Sequence, residues 1–136
     1  MNIDKYAEKG IKIIDPDTTY IDCESVIESG VIIFPNNTIT GKSVIKKNTV
    51  LEPNNIIYDS EIGESCNIIS SVIKESKVGS GVNIGPFAYL RPGSNIGDNC
   101  KIGDFVEVKA SSIGAGTKPQ NSSTLTLLSF GPYSPI

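Results

Sequence analysis

Branched aliphatic residues return every six positions along most of this chain. Ile21, Ile27, Ile33, Ile39, Ile45, Leu51 and Ile57 keep that step. Mixed five- and six-residue steps carry the series through Ile62, Ile68, Ile73 and Val78, and sixes resume from Ile84 through Leu90, Ile96, Ile102 and Val108 before Ile113. Six is neither the period of a helix nor the alternation of an amphipathic strand. Sustained this long, it predicts a solenoid whose coil has three short flat walls, about eighteen residues per turn. The expectation is an all-β fold of about five coils between Ile21 and Thr117. The rival is a sandwich of short strands, but sandwich turns come about every 8–12 residues.

The other positions of the six-residue unit support the coil. With the aliphatic residue as position one, position four is Gly or Asn at Gly30, Asn36, Asn48, Asn54, Gly81, Gly93, Asn99 and Gly116. Those residues tolerate the left-handed backbone of a tight corner. Position five is small or β-branched at Ser25, Val31, Ser43, Thr49, Cys66, Val82, Ala88, Cys100, Val106 and Thr117, and is expected to share the interior. Pro35-Asn36-Asn37 and Pro53-Asn54-Asn55 should stack corner over corner. Gly, Pro, Asn and β-branched residues disfavour helix throughout.

Composition narrows the chemistry. The chain has 136 residues and no histidine, which excludes a histidine base, a histidine-assisted nucleophile and a histidine metal site. No phosphate-binding glycine loop is present; Gly79-Ser80-Gly81 reads as a corner of the repeat. A formal charge of −3 and a pI near 4.9 give no reason to expect nucleic acid or an anionic membrane as partner. No stretch is apolar for long enough to span a bilayer, and the N-terminus does not read as a signal peptide. Three cysteines without paired spacing fit a reducing, cytoplasmic setting, with Cys66 and Cys100 as interior filler and Cys23 facing outward.

Three segments are expected. Residues 1–19 hold a weak helical turn near Asp4–Lys9, a strand-like Ile11–Ile14 and a turn at Asp15-Pro16-Asp17. Residues 20–118 form the coil. Residues 119–136 lose the six-residue register and form an irregular tail, which is either disordered or laid across the last coil through Leu125, Leu127, Leu128 and Phe130.

One constellation suggests binding. Arg91 and Lys109 both occupy position two and lie eighteen residues apart, so a three-walled coil stacks them on one face, with backbones about 4.8 Å apart. Like charges so placed are unfavourable unless an anion or an acid lies between them. Arg91 offers a planar fork and Lys109 a point charge for a phosphate. Alternatively both side chains splay into water, or Glu107 or Asp104 pairs with one of them. Lys74 extends the column if the five-residue steps preserve its register. Lys46 shares the position but reads as plain surface.

The repeat resembles the hexapeptide-repeat acyltransferases, and that resemblance implies a left-handed parallel β-helix. Three runs are similar to the acetyltransferase half of the bifunctional enzymes that make UDP-N-acetylglucosamine. They are Ile13-Ile14-Asp15-Pro16, Gly85-Pro86-Phe87-Ala88-Tyr89-Leu90-Arg91-Pro92-Gly93-Ser94 and Ile102-Gly103-Asp104-Phe105-Val106-Glu107-Val108-Lys109. The resemblance implies that Arg91 and Lys109 hold a sugar phosphate. It also implies acetyl-CoA as donor, glucosamine 1-phosphate as acceptor, a homotrimer, and a product that feeds cell-wall synthesis.

Departures accompany the match. Asn121 stands where the resemblance puts a catalytic histidine, and Thr124 where it puts a tyrosine. Asn cannot take a proton from an ammonium nucleophile. The nucleotidyltransferase half and the coils that form the acetyl-CoA groove have no counterpart here. No catalytic residue and no metal ligand is assigned. The expectation is a truncated, inactive glucosamine-1-phosphate N-acetyltransferase domain that binds no acetyl-CoA. Two alternatives stand beside it. One is a β-helix scaffold that self-associates, or pairs with a full-length relative through its open coil end. The other is a sugar-phosphate binder without chemistry.

Overall fold

The computed structural model describes residues 2–117 and the strand Thr124–Thr126. Short parallel strands of two or three residues stack into three sheets of six, seven and six strands, the three walls of a prism. The first wall runs from Lys12–Ile13 to Lys101–Ile102, the second from Tyr20–Ile21 to Thr124–Thr126, and the third from Val26–Ile27 to Ser112–Ile113. Every third strand along the chain returns to the same wall, which is the winding the six-residue step demands.

The core is one aliphatic column per wall. Every member of the series from Ile27 to Ile113 is buried, and Ile21 is half-buried. Ile39 stacks on Ile57, Ile57 on Ile73, Ile73 on Leu90 and Leu90 on Val108. Position five joins them inside, with Val31, Thr49, Cys66, Val82 and Cys100 at one corner. Asn37 and Asn55 lie inside the stacked Pro-Asn-Asn corners. Each donates its amide to the carbonyls of its own turn and of the next coil, at 2.7–3.3 Å.

All eight Gly and Asn residues at position four take positive φ, from 58° at Asn99 to 87° at Gly93. Five-residue steps turn differently. Asp59, Ser70, Glu75 and Ala110, one residue earlier in the unit, take φ of 45° or 46°. The residue after each of them is a serine, and Ser60, Ser71, Ser76 and Ser111 are buried. Dropping one residue thus moves the interior position from five to four, and a hydroxyl small enough for the tighter corner fills it.

The winding begins earlier than the six-residue series. Helix Ile3–Glu8 caps the first coil, and Lys12–Ile13 already pairs with Ile32–Ile33. A 3-10 turn at Pro16–Thr18 inserts two residues between Ile13 and Ile21, which hides the register. These strands raise the winding to about six coils against an expectation of about five. At the other end, Thr124–Thr126 pairs with Glu107–Lys109 and extends the second wall. The remaining tail residues, Asn121, Leu127, Leu128 and Phe130 among them, lie outside the described residues.

Candidate functional site

The second wall carries the candidate anion site. Tyr89 pairs with Glu107 and Leu90 with Val108, and the Arg91 amide donates to the Val108 carbonyl at 2.9 Å. Arg91 and Lys109 therefore emerge from the same wall on consecutive coils. Lys74 joins them: Val72 pairs with Tyr89 and Ile73 with Leu90, so the five-residue steps do keep the column in register. Lys46 belongs to the third wall, where Glu61 takes it at 3.6 Å.

The strand ends that bear these cations are pinned from inside. Ser76 Oγ lies at hydrogen-bond distance from the Lys74 and Arg91 carbonyls, at 2.8 and 3.0 Å. Ser94 Oγ does the same for Arg91 and Val108, at 2.7 and 3.2 Å. Ser111 Oγ donates to the Lys109 carbonyl at 2.8 Å. These buried hydroxyls fix the backbone from which the side chains project. Sequence reasoning missed this column, although a serine at the fourth position of every five-residue step was its signal.

Glu107 resolves the repulsion between Arg91 and Lys109. Its Oε2 lies 3.2 Å from Arg91 Nη1 and its Oε1 lies 3.9 Å from Lys109 Nζ. The guanidinium also rests over the Tyr89 ring, 5.6 Å from its centroid, which adds a cation–π attraction to its positioning. Below Lys74 in the column stands Tyr58, whose phenol the neighbouring Asp59 carboxylate pushes above its ordinary pKa by charge and by hydrogen bonding. Arg91 and Lys109 are part-exposed, with side chains 46% and 36% accessible, so a solute reaches both.

Two further features flank this wall. Phe87 and Phe105 stack at 5.4 Å on the corner between the first and second walls, 58% and 60% exposed. A groove of about 490 Å³ follows the corner between the second and third walls, lined by Lys42, Asp59, Glu61, Glu75, Lys77 and Gly93 among others. The cysteines match their sequence positions: Cys23 is exposed, Cys66 and Cys100 are buried, and none is paired. No cluster of three metal-ligating side chains occurs among the described residues. No described helix is long and apolar enough to cross a membrane.

The comparisons agree with this architecture. Residues 75–110 match the family model described as bacterial transferase hexapeptide (six repeats). The bifunctional protein GlmU of Clostridium acetobutylicum is 55% identical over 115 residues, covering 85% of this chain and 25% of that protein. GlmU of Carboxydothermus hydrogenoformans is 51% identical over 111 residues, covering 82% of this chain and 25% of that protein. The chain thus spans about a quarter of the length of the curated relatives it matches. Among solved structures, the UDP-N-acetylglucosamine acyltransferase of Francisella novicida aligns with a TM-score of 0.47 at 17% identity. That alignment covers 89% of this chain and 62% of the other, and at this score it adds nothing to the strand pairing. Repeat, winding and sequence relatives agree: this chain carries the bacterial transferase hexapeptide repeat and is similar, over most of its own length, to a quarter of the GlmU proteins.

Proposed function

We propose that the second wall binds the phosphate of an amino-sugar phosphate, glucosamine 1-phosphate, and that the chain holds this ligand without acetylating it on its own. The observation that carries the reading is the single column that presents Arg91 and Lys109 on consecutive coils of one wall. A guanidinium fork and an ammonium supply charge-assisted hydrogen bonds of the kind a phosphate accepts. The GlmU relatives make an amino-sugar phosphate the natural candidate, and its acetylated product would feed cell-wall precursor synthesis in the cytoplasm, a setting consistent with three unpaired cysteines.

The chain contains no histidine to take the proton from the sugar ammonium, and Asn121 cannot replace one. Acetyl-CoA is the donor the resemblance implies, but the groove beside the wall does not suit it. Asp59, Glu61 and Glu75 outnumber Lys42 and Lys77 along it, which disfavours a pyrophosphate. Calorimetric titration with glucosamine 1-phosphate tests binding, and acetyl-CoA-dependent loss of the sugar amine tests turnover. Saturable binding without turnover is expected; no binding refutes the first half of the reading, and steady turnover refutes the second.

A scaffold reading has its own support. Phe87 and Phe105 stack in the open at one corner, and Tyr20 and Ile56 are exposed on the second wall; exposed apolar side chains of this kind favour self-association, as in a homotrimer. Sedimentation at trimer mass without ligand binding would favour it.

A further inference from the structure

Arg91 differs from the other cations of the second wall in the residue that stands beside it. Two positions back on the same outward face, Lys74 has Val72 and Lys109 has Glu107, whereas Arg91 has Tyr89. Among the described strands no other ring shares an outward face with a cation. The Tyr89 ring is half-buried, and its centroid lies 5.6 Å from Arg91 Cζ. Both residues stand on fixed backbone, because their amides donate to the Val106 and Val108 carbonyls at 2.9 Å each.

A free arginine side chain samples many rotamers, and a ligand that freezes it loses affinity by doing so. A guanidinium resting on an aromatic face is already partly fixed. Its N–H groups lie in its own plane, so the ring covers a face and leaves those donors at the rim. Glu107 takes one of them, on Nη1, at 3.2 Å. No hydrogen bond joins Nε or Nη2 to any described residue, so both remain for a solute. A flat side chain beside a flat cation is the combination that Val72 and Glu107 do not give their lysines.

We propose that Tyr89 is a positioning residue of the anion site: its ring holds the Arg91 guanidinium so that an incoming phosphate meets donors already oriented. This rests on the reading that the second wall binds a sugar phosphate. Tyr89 acts on that ligand only through Arg91, and by its ring face, not by its hydroxyl.

The test compares the full wild-type chain with Tyr89→Phe, Tyr89→Leu and Arg91→Met, with melting temperatures to confirm that each variant folds. The first readout is the proton NMR spectrum of the Arg91 side chain without ligand. Ring current should move its signals upfield in wild type and in Tyr89→Phe, and the shift should vanish in Tyr89→Leu. The second readout is calorimetric affinity for glucosamine 1-phosphate and, separately, for inorganic phosphate, at fixed low salt. Tyr89→Leu should lose about 2- to 5-fold with both ligands, the span of an exposed cation–π contact, while Tyr89→Phe matches wild type. Full affinity in Tyr89→Leu overturns the proposal, as does an upfield shift that survives it. An equal loss in Tyr89→Phe also overturns it, since the hydroxyl would then be the active group. In each of those cases wild type still binds and Arg91→Met still weakens binding. If wild type binds neither ligand, or Arg91→Met binds as well as wild type, the sugar-phosphate reading itself fails and the proposal falls with it.

Discussion

The second and third walls are built by the same repeat, yet their outer faces behave as opposites. On the third wall Glu61 sits between Lys46 and Lys77, at 3.6 and 3.8 Å, so its cations are balanced locally. Four of its position-two residues are glycines, Gly63, Gly79, Gly97 and Gly114. A Cβ at Gly79 would lie 2.8 Å from the Asp98 nitrogen and 2.9 Å from the Gly97 carbonyl carbon, so no side chain fits there. On the second wall the same position holds Tyr58, Lys74, Arg91 and Lys109, with one acid among three cations. A repeat fixes where columns fall; whether a column binds anything depends on Cβ clearance and on acids in register.

The walls share one core, and this supplies the largest test. Ile73 on the second wall and Ile62 on the third are fully buried. Alanine at either should cost about 2–5 kcal/mol in chemical denaturation. A large disparity would mean that the walls differ inside as well as outside.

Exchanging the outer residues comes next. Gly79→Lys forces a side chain against backbone and should lower stability by about 1–3 kcal/mol. The reverse change, Lys74→Gly, should cost no more than about 1 kcal/mol, the conformational penalty of glycine in a strand. Equal losses would erase the distinction drawn from Gly79.

Removing the balancing acids probes charge. Glu61→Gln should change stability by under about 1 kcal/mol, and by less still in high salt, because its partners are well exposed. Glu107→Gln should likewise perturb folding little, while raising affinity for inorganic phosphate severalfold on the second wall. An unchanged phosphate affinity would show that Glu107 does not set the potential of the column.

The smallest expected effect comes from pH. Burial pushes the Cys66 and Cys100 thiols above the ordinary range, so the folded state keeps protons that the unfolded chain releases. Their contribution is fully present below the unfolded thiol pKa of about 8.5 and declines as pH rises through the raised folded values. Denaturation midpoints from pH 7 upward should show a shallow fall that the Cys66→Ala and Cys100→Ala double variant reduces. Cys23, exposed, should react with a thiol reagent at once, before the other two.

Much of this was legible in the sequence because the fold is one unit repeated. The aliphatic step gave the walls, and Gly or Asn at position four gave the left-handed corners, including every one named. The Arg91–Lys109 alignment followed from spacing alone. What escaped had local causes. The strand-like Ile11–Ile14 was legible, but the Pro16–Thr18 insertion hid that it already belongs to the first wall. Leu125 lies two six-residue steps beyond Ile113, a signal masked by the polar residues around it. The interior serines escaped because a shortened turn relocates the inward residue. Glu107 stood among the alternatives, and choosing it required side-chain geometry, since spacing does not show which way a carboxylate reaches.

The hydroxyl column at the corner between the second and third walls has an evolutionary corollary. Ser43, Ser60, Ser76, Ser94 and Ser111 follow one another at intervals of 17, 16, 18 and 17 residues, yet all five stay buried. A corner that accepts turns of unequal length lets single-codon gains and losses accumulate without derailing the stack above. Lineages of such coils can therefore drift in length there while the rows of side chains on their flat faces remain aligned.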